Sequence, residues 1–318
     1  MKIVVLDGNA VNPGDLSWHP LAQLGEITVY DHSDPWEVIP HIGDAEIVLT
    51  NKSIVSEEVF KACPAIRLVC VLATGYNVVD CKAAAKRRIP VCNVPGYSTA
   101  SVAQFTIALL LEICHQVGLH NQHVHAGKWS ECPNFCYWAT PQMELAGKTL
   151  GIIGFGSIGR AVARIASAMG MKVLAHSRTE YSEGRELAEY VDLETLLKNS
   201  DIISLHCPLF PETTGLINQN TICKMKDGVI LLNTARGGLL DEAAVASALQ
   251  KGKVRYAAVD VVSAEPITPD NPLLSAPNCI ITSHMAWAPV ETRQRIIDIT
   301  VASITAFEKG APVNVVNM

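Results

Sequence analysis

The sequence lacks clustered positive charge, long apolar runs and paired cysteine motifs. With 25 Lys and Arg against 31 Asp and Glu, the 318-residue chain has a formal net charge of −6 and no basic patch for nucleic acid. No apolar run approaches the ~18 residues needed to cross a bilayer, and the first one is too short for a signal peptide. We therefore expect a cytoplasmic protein with no nucleic-acid or membrane partner.

The ten cysteines are scattered, and no two of them form a C-x-x-C pair. Such thiols, several of them inside apparent strands, are typical of reduced, packed side chains in a reducing compartment. One cluster, His120, His123 and His125 followed by Cys132 and Cys136, would also be compatible with a metal. Its spacing matches no common zinc pattern, so we expect no metal site.

Short apolar strands alternate with helical stretches along almost the whole chain, which predicts an α/β protein with mostly parallel sheets. The first block has predicted strands at 2–7, 26–31, 45–50, 67–72 and 90–94, and the second at 149–154, 172–176, 201–207, 228–235, 255–260 and 279–283. Six strands are the full count of a doubly wound dinucleotide fold.

The helical pattern sets the predicted domain boundaries. We predict one long helix from Thr99 to Leu119, an irregular segment over 120–146, and a last helix from about Pro289 to Glu308. Because the second block is complete by residue 283, we expect the last helix to pack on the first domain. The predicted domains are therefore 1–98 with 288–318, and 99–287.

The segment Gly154-Phe155-Gly156-Ser157-Ile158-Gly159 follows an apolar strand and opens a helix. Gly154 permits a tight turn, Gly156 lets the backbone approach a pyrophosphate, and Gly159 lets the helix pack closely on the strand. A lone G-x-G-x-x-G is a weak signal. With the strand before it and the helix after it, the motif indicates a dinucleotide-binding domain.

Three chemically active side chains follow late strands of the second block. Arg236 follows the strand that ends at Ala235, Glu265 comes shortly after the strand that ends at Asp260, and His284 follows the last strand. Taken singly, Arg236 could be a surface residue, Glu265 a solvated acid and His284 a packed core histidine. Together, at the edge of the sheet where ligands bind, they indicate a catalytic set.

The chemistry of these three residues fits the reduction of a carbonyl by a reduced nicotinamide. His284 is the candidate general acid for the developing alkoxide, and a carboxylate from Glu265 beside it would favour the imidazolium. Arg236 can bind a substrate carboxylate through two parallel N–H bonds, which a lysine cannot reproduce. The sequence thus predicts a 2-oxo acid as the substrate.

Four motifs together resemble the D-isomer-specific 2-hydroxyacid dehydrogenases over essentially the whole chain. They are 154–159, the run Asn233-Thr234-Ala235-Arg236-Gly237-Gly238, Asp260 with Glu265-Pro266, and Ser283-His284. Within the family, Asn93-Val94-Pro95-Gly96-Tyr97-Ser98-Thr99, Gly127-Lys128-Trp129-Ser130 and His284-Met285-Ala286-Trp287-Ala288 are most similar to the glycerate dehydrogenases, or hydroxypyruvate reductases.

The resemblance implies a Rossmann-type cofactor domain and a flavodoxin-like substrate domain with a cleft between them. It implies that Arg236, Glu265 and His284 are catalytic, that backbone N–H groups of Thr74 and Gly75 bind the substrate carboxylate, and that Trp287 shapes the substrate pocket. Around the cofactor it implies Thr106, Cys207, Thr213, Ala235 and Asp260. It also implies a homodimer, joined through the long helix and the irregular segment after it.

One departure from the family pattern concerns the choice between NAD and NADP. NAD-preferring members carry an acid at the end of the second strand of the cofactor domain, where this chain has Ser177 and then Arg178. An acid would repel a 2′-phosphate, whereas a hydroxyl with a guanidinium can bind one. We predict that NADP is accepted and preferred; if Arg178 instead stacks on adenine or points to solvent, NAD stays usable.

The expected function is transfer of a hydride between NAD(P)H and a small 2-oxo acid to give the D-2-hydroxy acid. Hydroxypyruvate, giving D-glycerate, is the first expected substrate and glyoxylate the second. The alternative is a dinucleotide-sensing regulatory protein on the same scaffold, which commonly needs disordered tails that this chain lacks.

Overall fold

The computed structural model describes residues 1–318 and divides into two compact units. The first unit is Met1–Ser98 with Trp287–Met318, and the second is Thr99–Ala286. Each unit has its own parallel β-sheet covered by helices, which confirms the predicted pair of doubly wound α/β folds. Trp287, assigned to the second domain from the sequence, lies in the first unit because its side chain packs on that unit's apolar core.

The secondary structure consists mainly of short strands and helices in alternation. The strands are β1 (Lys2–Val5), β2 (Glu26–Val29), β3 (Ile47–Thr50), β4 (Leu68–Val71), β5 (Val91–Cys92), β6 (Thr149–Ile153), β7 (Lys172–His176), β8 (Glu189–Tyr190), β9 (Ile202–Leu205), β10 (Val229–Asn233), β11 (Val254–Val259) and β12 (Cys279–Ile281). The α-helices are α1 (His19–Ala22), α2 (Val38–Ile42), α3 (Glu57–Ala62), α4 (Cys81–Lys86), α5 (Thr99–His115), α6 (Val117–His125), α7 (Ser157–Ala168), α8 (Leu193–Asn199), α9 (Gln219–Lys224), α10 (Glu242–Gln250) and α11 (Val290–Glu308).

The sheet of the first unit has the strand order β2-β1-β3-β4-β5, and every neighbouring pair is parallel. This is the flavodoxin-like order, whose switch point lies between β1 and β3. All residues of β3 and β4 are buried, because helices cover both faces of a parallel sheet. Helix α11 covers one face and contributes Ile296, Ile297 and Ile304 to the core.

The sheet of the second unit has seven parallel strands in the order β12-β11-β10-β9-β6-β7-β8. The prediction of six strands is therefore wrong. The missed strand, β8, is only Glu189 and Tyr190, which is too short to show alternation in the sequence. The strand order reverses between β6 and β9, so the carboxyl ends of these two strands form the switch point at which ligands bind.

The predicted continuous helix from Thr99 to Leu119 is also wrong. Helix α5 ends at His115, Gln116 adopts a left-handed backbone with φ of 44°, and α6 continues at a bend of 52° through part of the segment predicted to be irregular. No single helix is long and apolar enough to cross a membrane, although the bent pair of α5 and α6 taken together passes that test by length and composition.

Candidate active site

The loop after β6 has the geometry that a dinucleotide pyrophosphate requires. Gly154 has φ of 93°, and a Cβ at this position would collide with the backbone nitrogen of Cys207. A Cβ on Gly159 would collide with the carbonyl oxygen of Gly154, so helix and strand are packed as closely as a backbone allows. A Cβ on Gly156 would meet no atom within 4 Å, which leaves open space at the N-cap of α7.

This open space lies in front of a helix N-terminus, where first-turn N–H groups have no carbonyl partner within the helix. Ser157 begins α7 and is exposed, Ile158 is half-buried, and Phe155 is fully buried with its ring edge-on to Tyr190. Phe155 therefore presents only its backbone to this space. These residues fit a bound dinucleotide, whose pyrophosphate would lie on the start of α7.

The segment after β7 carries an unpaired cation in place of the acid that NAD-preferring proteins have there. Ser177 is half-buried and Arg178 is exposed, and the Arg178 guanidinium forms neither a hydrogen bond nor a salt bridge. Its carbon Cζ lies over the ring of Phe210, 4.9 Å from the ring centroid. This end of the sheet offers a hydroxyl and a free guanidinium to a ligand.

Four residues that the resemblance places around the cofactor have their polar groups engaged within the protein or buried. The Thr106 hydroxyl is buried and contacts that of Thr234 at 2.9 Å, and the Thr213 hydroxyl donates to the Pro208 carbonyl at 2.9 Å. The Ala235 N–H donates to Oδ1 of Asn233 at 3.1 Å. Burial raises the pKa of the Cys207 thiol, so this residue offers a small neutral surface after β9.

Arg236 lies in a turn that Asn233 holds in place. The Asn233 side chain donates from Nδ2 to the Arg236 carbonyl at 2.9 Å and accepts from the Ala235 N–H, so it fixes the backbone on both sides of the turn. Gly237 follows, and a Cβ there would collide with the carbonyl of Val262. The Arg236 turn is thus packed directly on the segment between β11 and Glu265.

Glu265 and His284 are in direct contact. Nδ1 of His284 lies 2.7 Å from Oε2 of Glu265, while Oε1 of Glu265 accepts from the Val262 N–H at 3.3 Å. The two side chains are 29% and 34% exposed, so the pair is accessible from solvent. With Nδ1 engaged, Nε2 is the ring nitrogen of His284 that remains for a ligand.

A buried carboxylate shapes the backbone on which His284 lies. Asp260, 1% exposed, accepts from the Thr282 hydroxyl at 2.6 Å, from the Met285 N–H at 2.9 Å and from the Ala286 N–H at 2.9 Å. The His284 N–H donates to the Asp260 carbonyl at 2.8 Å. His284 has φ of 54°, a conformation uncommon outside glycine, and these bonds hold it there.

The sheet order brings the three predicted catalytic residues to one edge. Arg236, Glu265 and His284 follow β10, β11 and β12, which are parallel neighbours in the second sheet. The carboxyl ends of parallel neighbours lie side by side, so the guanidinium, the carboxylate and the imidazole share the edge that also carries the glycine loop.

The three predicted substrate-binding residues of the first unit lie in two places. Thr74 and Gly75 follow β4, and the Thr74 hydroxyl donates to the Val94 carbonyl at 2.9 Å. Nδ2 of Asn93 donates to the Thr74 carbonyl at 2.8 Å, so this loop is anchored at two points. Trp287 is half-buried and packs edge-on against Tyr97, with ring centroids 6.5 Å apart.

Comparisons with known proteins decide the family. A profile described as D-isomer specific 2-hydroxyacid dehydrogenase, NAD binding domain, matches residues 107–286. The chain is also 58% identical to a hydroxypyruvate reductase of Blautia hydrogenotrophica over 321 residues, covering 100% of both chains. The chain belongs to the D-isomer-specific 2-hydroxyacid dehydrogenase family. The family resemblance drawn from its motifs is thereby confirmed.

Solved structures of similar proteins support the same family and the same type of cofactor. An acyclic imino acid reductase in complex with NADPH and D-Arg is 27% identical with a TM-score of 0.85, covering 99% of this chain and 100% of the other. An NAD-complexed D-isomer-specific 2-hydroxyacid dehydrogenase of Lactobacillus delbrueckii ssp. bulgaricus is 26% identical with a TM-score of 0.80, covering 100% of both. This dehydrogenase is therefore an oxidoreductase that uses a nicotinamide dinucleotide and a small 2-oxo or 2-hydroxy acid.

Two residues that organise the dehydrogenase site were given no role from the sequence. Asn233 fixes the Arg236 turn, and its signal was an amide side chain at the end of a buried strand. Phe210 contacts Arg178 from another loop, and no local pattern connects residues so far apart in the chain. Nothing in the comparisons supports the alternative of a dinucleotide-sensing regulator.

Proposed function

We propose that this dehydrogenase reduces hydroxypyruvate to D-glycerate, with glyoxylate as a second substrate. The contact between Nδ1 of His284 and Glu265, at the strand ends beside the Arg236 turn, is the observation that carries the proposal. A relative of 58% identity over its full length, the hydroxypyruvate reductase of Blautia hydrogenotrophica, supports the substrate. The family establishes the class of reaction, and the proposal adds the identity of the substrate.

In the proposed reaction, each of the three side chains has one task. A reduced nicotinamide, when bound, would supply the hydride that the ketone carbon accepts. His284 donates the proton on Nε2 to the ketone oxygen, and Glu265 holds the ring in place through its contact with Nδ1. Arg236 binds the substrate carboxylate through two parallel N–H bonds and so fixes the ketone.

The substrate-binding roles of the first unit belong to the same proposal. Backbone N–H groups of Thr74 and Gly75 would bind the carboxylate, and Trp287 would line the substrate pocket. The position of the Thr74 loop after a central strand of a parallel sheet supports this, because ligands bind at the carboxyl ends of such strands. The first unit, 1–98 with the C-terminal segment, would be the substrate domain and the second the dinucleotide domain.

We further propose that NADP is the preferred cofactor. The support is chemical: Ser177 and the unpaired guanidinium of Arg178 occupy the place where an acid would repel a 2′-phosphate. The remaining cofactor contacts are proposed for the glycine loop 154–159 and for the residues implied by the family, which are Thr106, Cys207, Thr213, Ala235 and Asp260.

The assembly proposed for this dehydrogenase is a homodimer formed through α6 and the segment after it. Helix α6 has no buried residue, and Phe135 and Trp138 beyond it are 90% and 66% exposed. Nδ1 of His123 and the hydroxyl of Tyr137, in the same region, are shielded from solvent without a hydrogen-bond partner. A second copy would cover the exposed aromatic rings.

We propose a cytoplasmic location because the cysteine thiols are free. All ten cysteines are free, and several of them, such as Cys63 and Cys114, are buried. Disulfides form and persist in oxidising compartments, whereas cytosolic proteins keep their thiols reduced.

The function is tested with a panel of 2-oxo acids and both reduced cofactors, following absorbance of the nicotinamide and the configuration of the product. We expect the highest kcat/KM for hydroxypyruvate with NADPH, and D-glycerate as the product. Arg236→Lys should raise the KM for hydroxypyruvate by about ten- to a hundredfold, because an ammonium cannot form the paired bonds.

Arg164→Lys, on the exposed face of α7, is the matched control and should leave the KM unchanged. A preference for NADH above about tenfold, equivalent to 1.4 kcal/mol, would contradict the cofactor proposal. A larger kcat/KM for an apolar 2-oxo acid than for hydroxypyruvate would contradict the substrate proposal.

A further inference from the structure

The contact between Arg178 and Phe210 joins the ends of two strands that are not neighbours. Arg178 follows β7 and Phe210 follows β9, and β6 lies between these strands in the sheet. Strands are about 4.8 Å apart, so the flanking strands are about 10 Å from each other. The two side chains therefore reach towards each other across the end of β6, where the glycine loop begins.

The loop that carries Phe210 is held firmly by its own hydrogen bonds. The Phe210 N–H donates to the Thr213 hydroxyl at 2.7 Å, and that hydroxyl donates in turn to the Pro208 carbonyl at 2.9 Å. The Phe210 carbonyl accepts from the N–H groups of Thr213 and Thr214, both at 3.0 Å. The backbone of Phe210 is thus fixed, although its ring is 40% exposed.

Arg178 differs from the other cations around it, because its guanidinium lies over the Phe210 ring and forms no hydrogen bond or salt bridge. Arg185 pairs with Glu180, and Arg160 donates to the Phe155 carbonyl while lying over the ring of Tyr181. A cation over an aromatic face uses no N–H donor. All the donors of the Arg178 guanidinium therefore stay available for phosphate oxygens while the ring restricts where the side chain can be.

We propose that Phe210 is a second determinant of cofactor choice, which positions the Arg178 guanidinium for the 2′-phosphate of NADP. The inference rests on the proposed preference for NADP and adds a residue to it. Phe210 acts through Arg178 and is a positioning residue. Without the ring, the long arginine side chain would lose rotamer freedom at the moment of binding, and the phosphate would be bound less tightly.

The test compares Phe210→Leu with Tyr181→Leu, which removes the matching ring under Arg160. The Kd values of NADPH and NADH are measured by nucleotide fluorescence, and those of adenosine 2′,5′-bisphosphate and 5′-AMP by calorimetry. Phe210→Leu should weaken NADPH and the bisphosphate by about two- to fivefold, the range of an exposed cation–π contact, and leave NADH and 5′-AMP unchanged. Phe210→Tyr should restore the wild-type ratio, and Tyr181→Leu should leave it unaltered.

A double variant separates this inference from the proposed function. Arg178→Gln should weaken NADPH by about ten- to a hundredfold relative to NADH. In that background, Phe210→Leu should have no further effect on the ratio. If Arg178→Gln leaves the ratio of the two Kd values unchanged, the proposed role of Arg178 in binding the 2′-phosphate is wrong. If Arg178→Gln lowers it but Phe210→Leu does not, or if Phe210→Leu weakens all four ligands equally, only the positioning role is wrong.

Discussion

The half-buried His206, beside the glycine loop, links the fold of the cofactor unit to pH. His206 follows β9, and burial lowers its pKa to about 4. Nε2 of the His206 ring lies 2.8 Å from the Ser204 hydroxyl. The backbone N–H of His206 donates to the Ile153 carbonyl at the end of β6. The His206 backbone thus joins β9 to β6, while its neutral imidazole contacts a side chain of β9 itself.

The pKa of His206 predicts a loss of stability in acid. In the unfolded chain the group binds a proton near pH 6.5, whereas the folded protein binds it only near pH 4. Between these values the unfolded state holds the extra proton, so the free energy of unfolding falls as the pH falls, by up to about 3 kcal/mol. Urea unfolding of the wild type and of His206→Gln at pH 7.5, 5.5 and 4.5 measures how the free energy of unfolding depends on pH.

The wild type should lose more stability than His206→Gln between pH 7.5 and pH 4.5. Parallel curves for the two proteins would show that His206 is exposed to protons in the folded state. The comparison is independent of any uniform effect of the substitution, because only the slope with pH is compared.

Among the secondary-structure elements, the break between α5 and α6 has the largest effect, because it sets the direction of α6. Gln116 has φ of 44°, which glycine adopts freely and other residues rarely do. Gln116→Gly should therefore leave the free energy of unfolding unchanged or raise it. The same substitution at Gln104, exposed within α5, should lower it by about 1 kcal/mol, because glycine is unfavourable inside a helix.

Urea unfolding of the two glycine variants decides between a bent and a straight helix. Equal destabilisation by both substitutions would show that position 116 is helical in solution, as the sequence pattern alone predicts. Opposite behaviour would establish the left-handed residue, and with it the direction in which α6 leaves the body of the second unit.

The elements that could be predicted from the sequence are those with a strong local pattern. The strands β6 and β9 were predicted because both are runs of mainly apolar residues buried on both faces, and the glycine loop was predicted from its G-x-G-x-x-G spacing. The short strand β8 carries no alternation. The break at Gln116 was missed because glutamine does not break helices and the nearest glycine, Gly118, comes two residues later.

The catalytic set was predicted by a different route, from strand ends and family motifs. That route names His284 and Glu265, but the left-handed backbone of His284 and the buried Asp260 carboxylate that holds it depend on how β11 and β12 pack. The Phe210 contact to Arg178 lies beyond sequence reasoning for the same reason, since it crosses an intervening strand.

For the whole molecule, the exposed aromatic residues after α6 predict self-association. Trp138→Asp should convert a homodimer to monomers or shift its dissociation constant upward strongly, because a charge would be buried against apolar surface. Trp36→Asp, at a tryptophan that is 73% exposed in the first unit, is the matched control and should leave the assembly intact. Sedimentation velocity over a range of protein concentrations measures the assembly of both variants and of the wild type. A wild-type protein that sediments as a monomer at all concentrations would contradict the dimer.

The central claim is that the imidazole of His284, held by Glu265, is the proton donor of the reaction. The most direct measurement is kcat with hydroxypyruvate, together with the Kd of NADPH, for His284→Asn. Asparagine tolerates the left-handed backbone that His284 adopts, so the loop should stay folded. His32→Asn, which removes the exposed histidine paired with Asp34 in the first unit, is the control.

We predict that His284→Asn lowers kcat by about 10²–10⁴, the contribution of a general acid, with an unchanged Kd for NADPH. His32→Asn should leave both quantities at the wild-type values. Wild-type kcat in His284→Asn, or a loss of NADPH binding that accounts for all of the lost activity, would contradict the assignment of His284 as the proton donor.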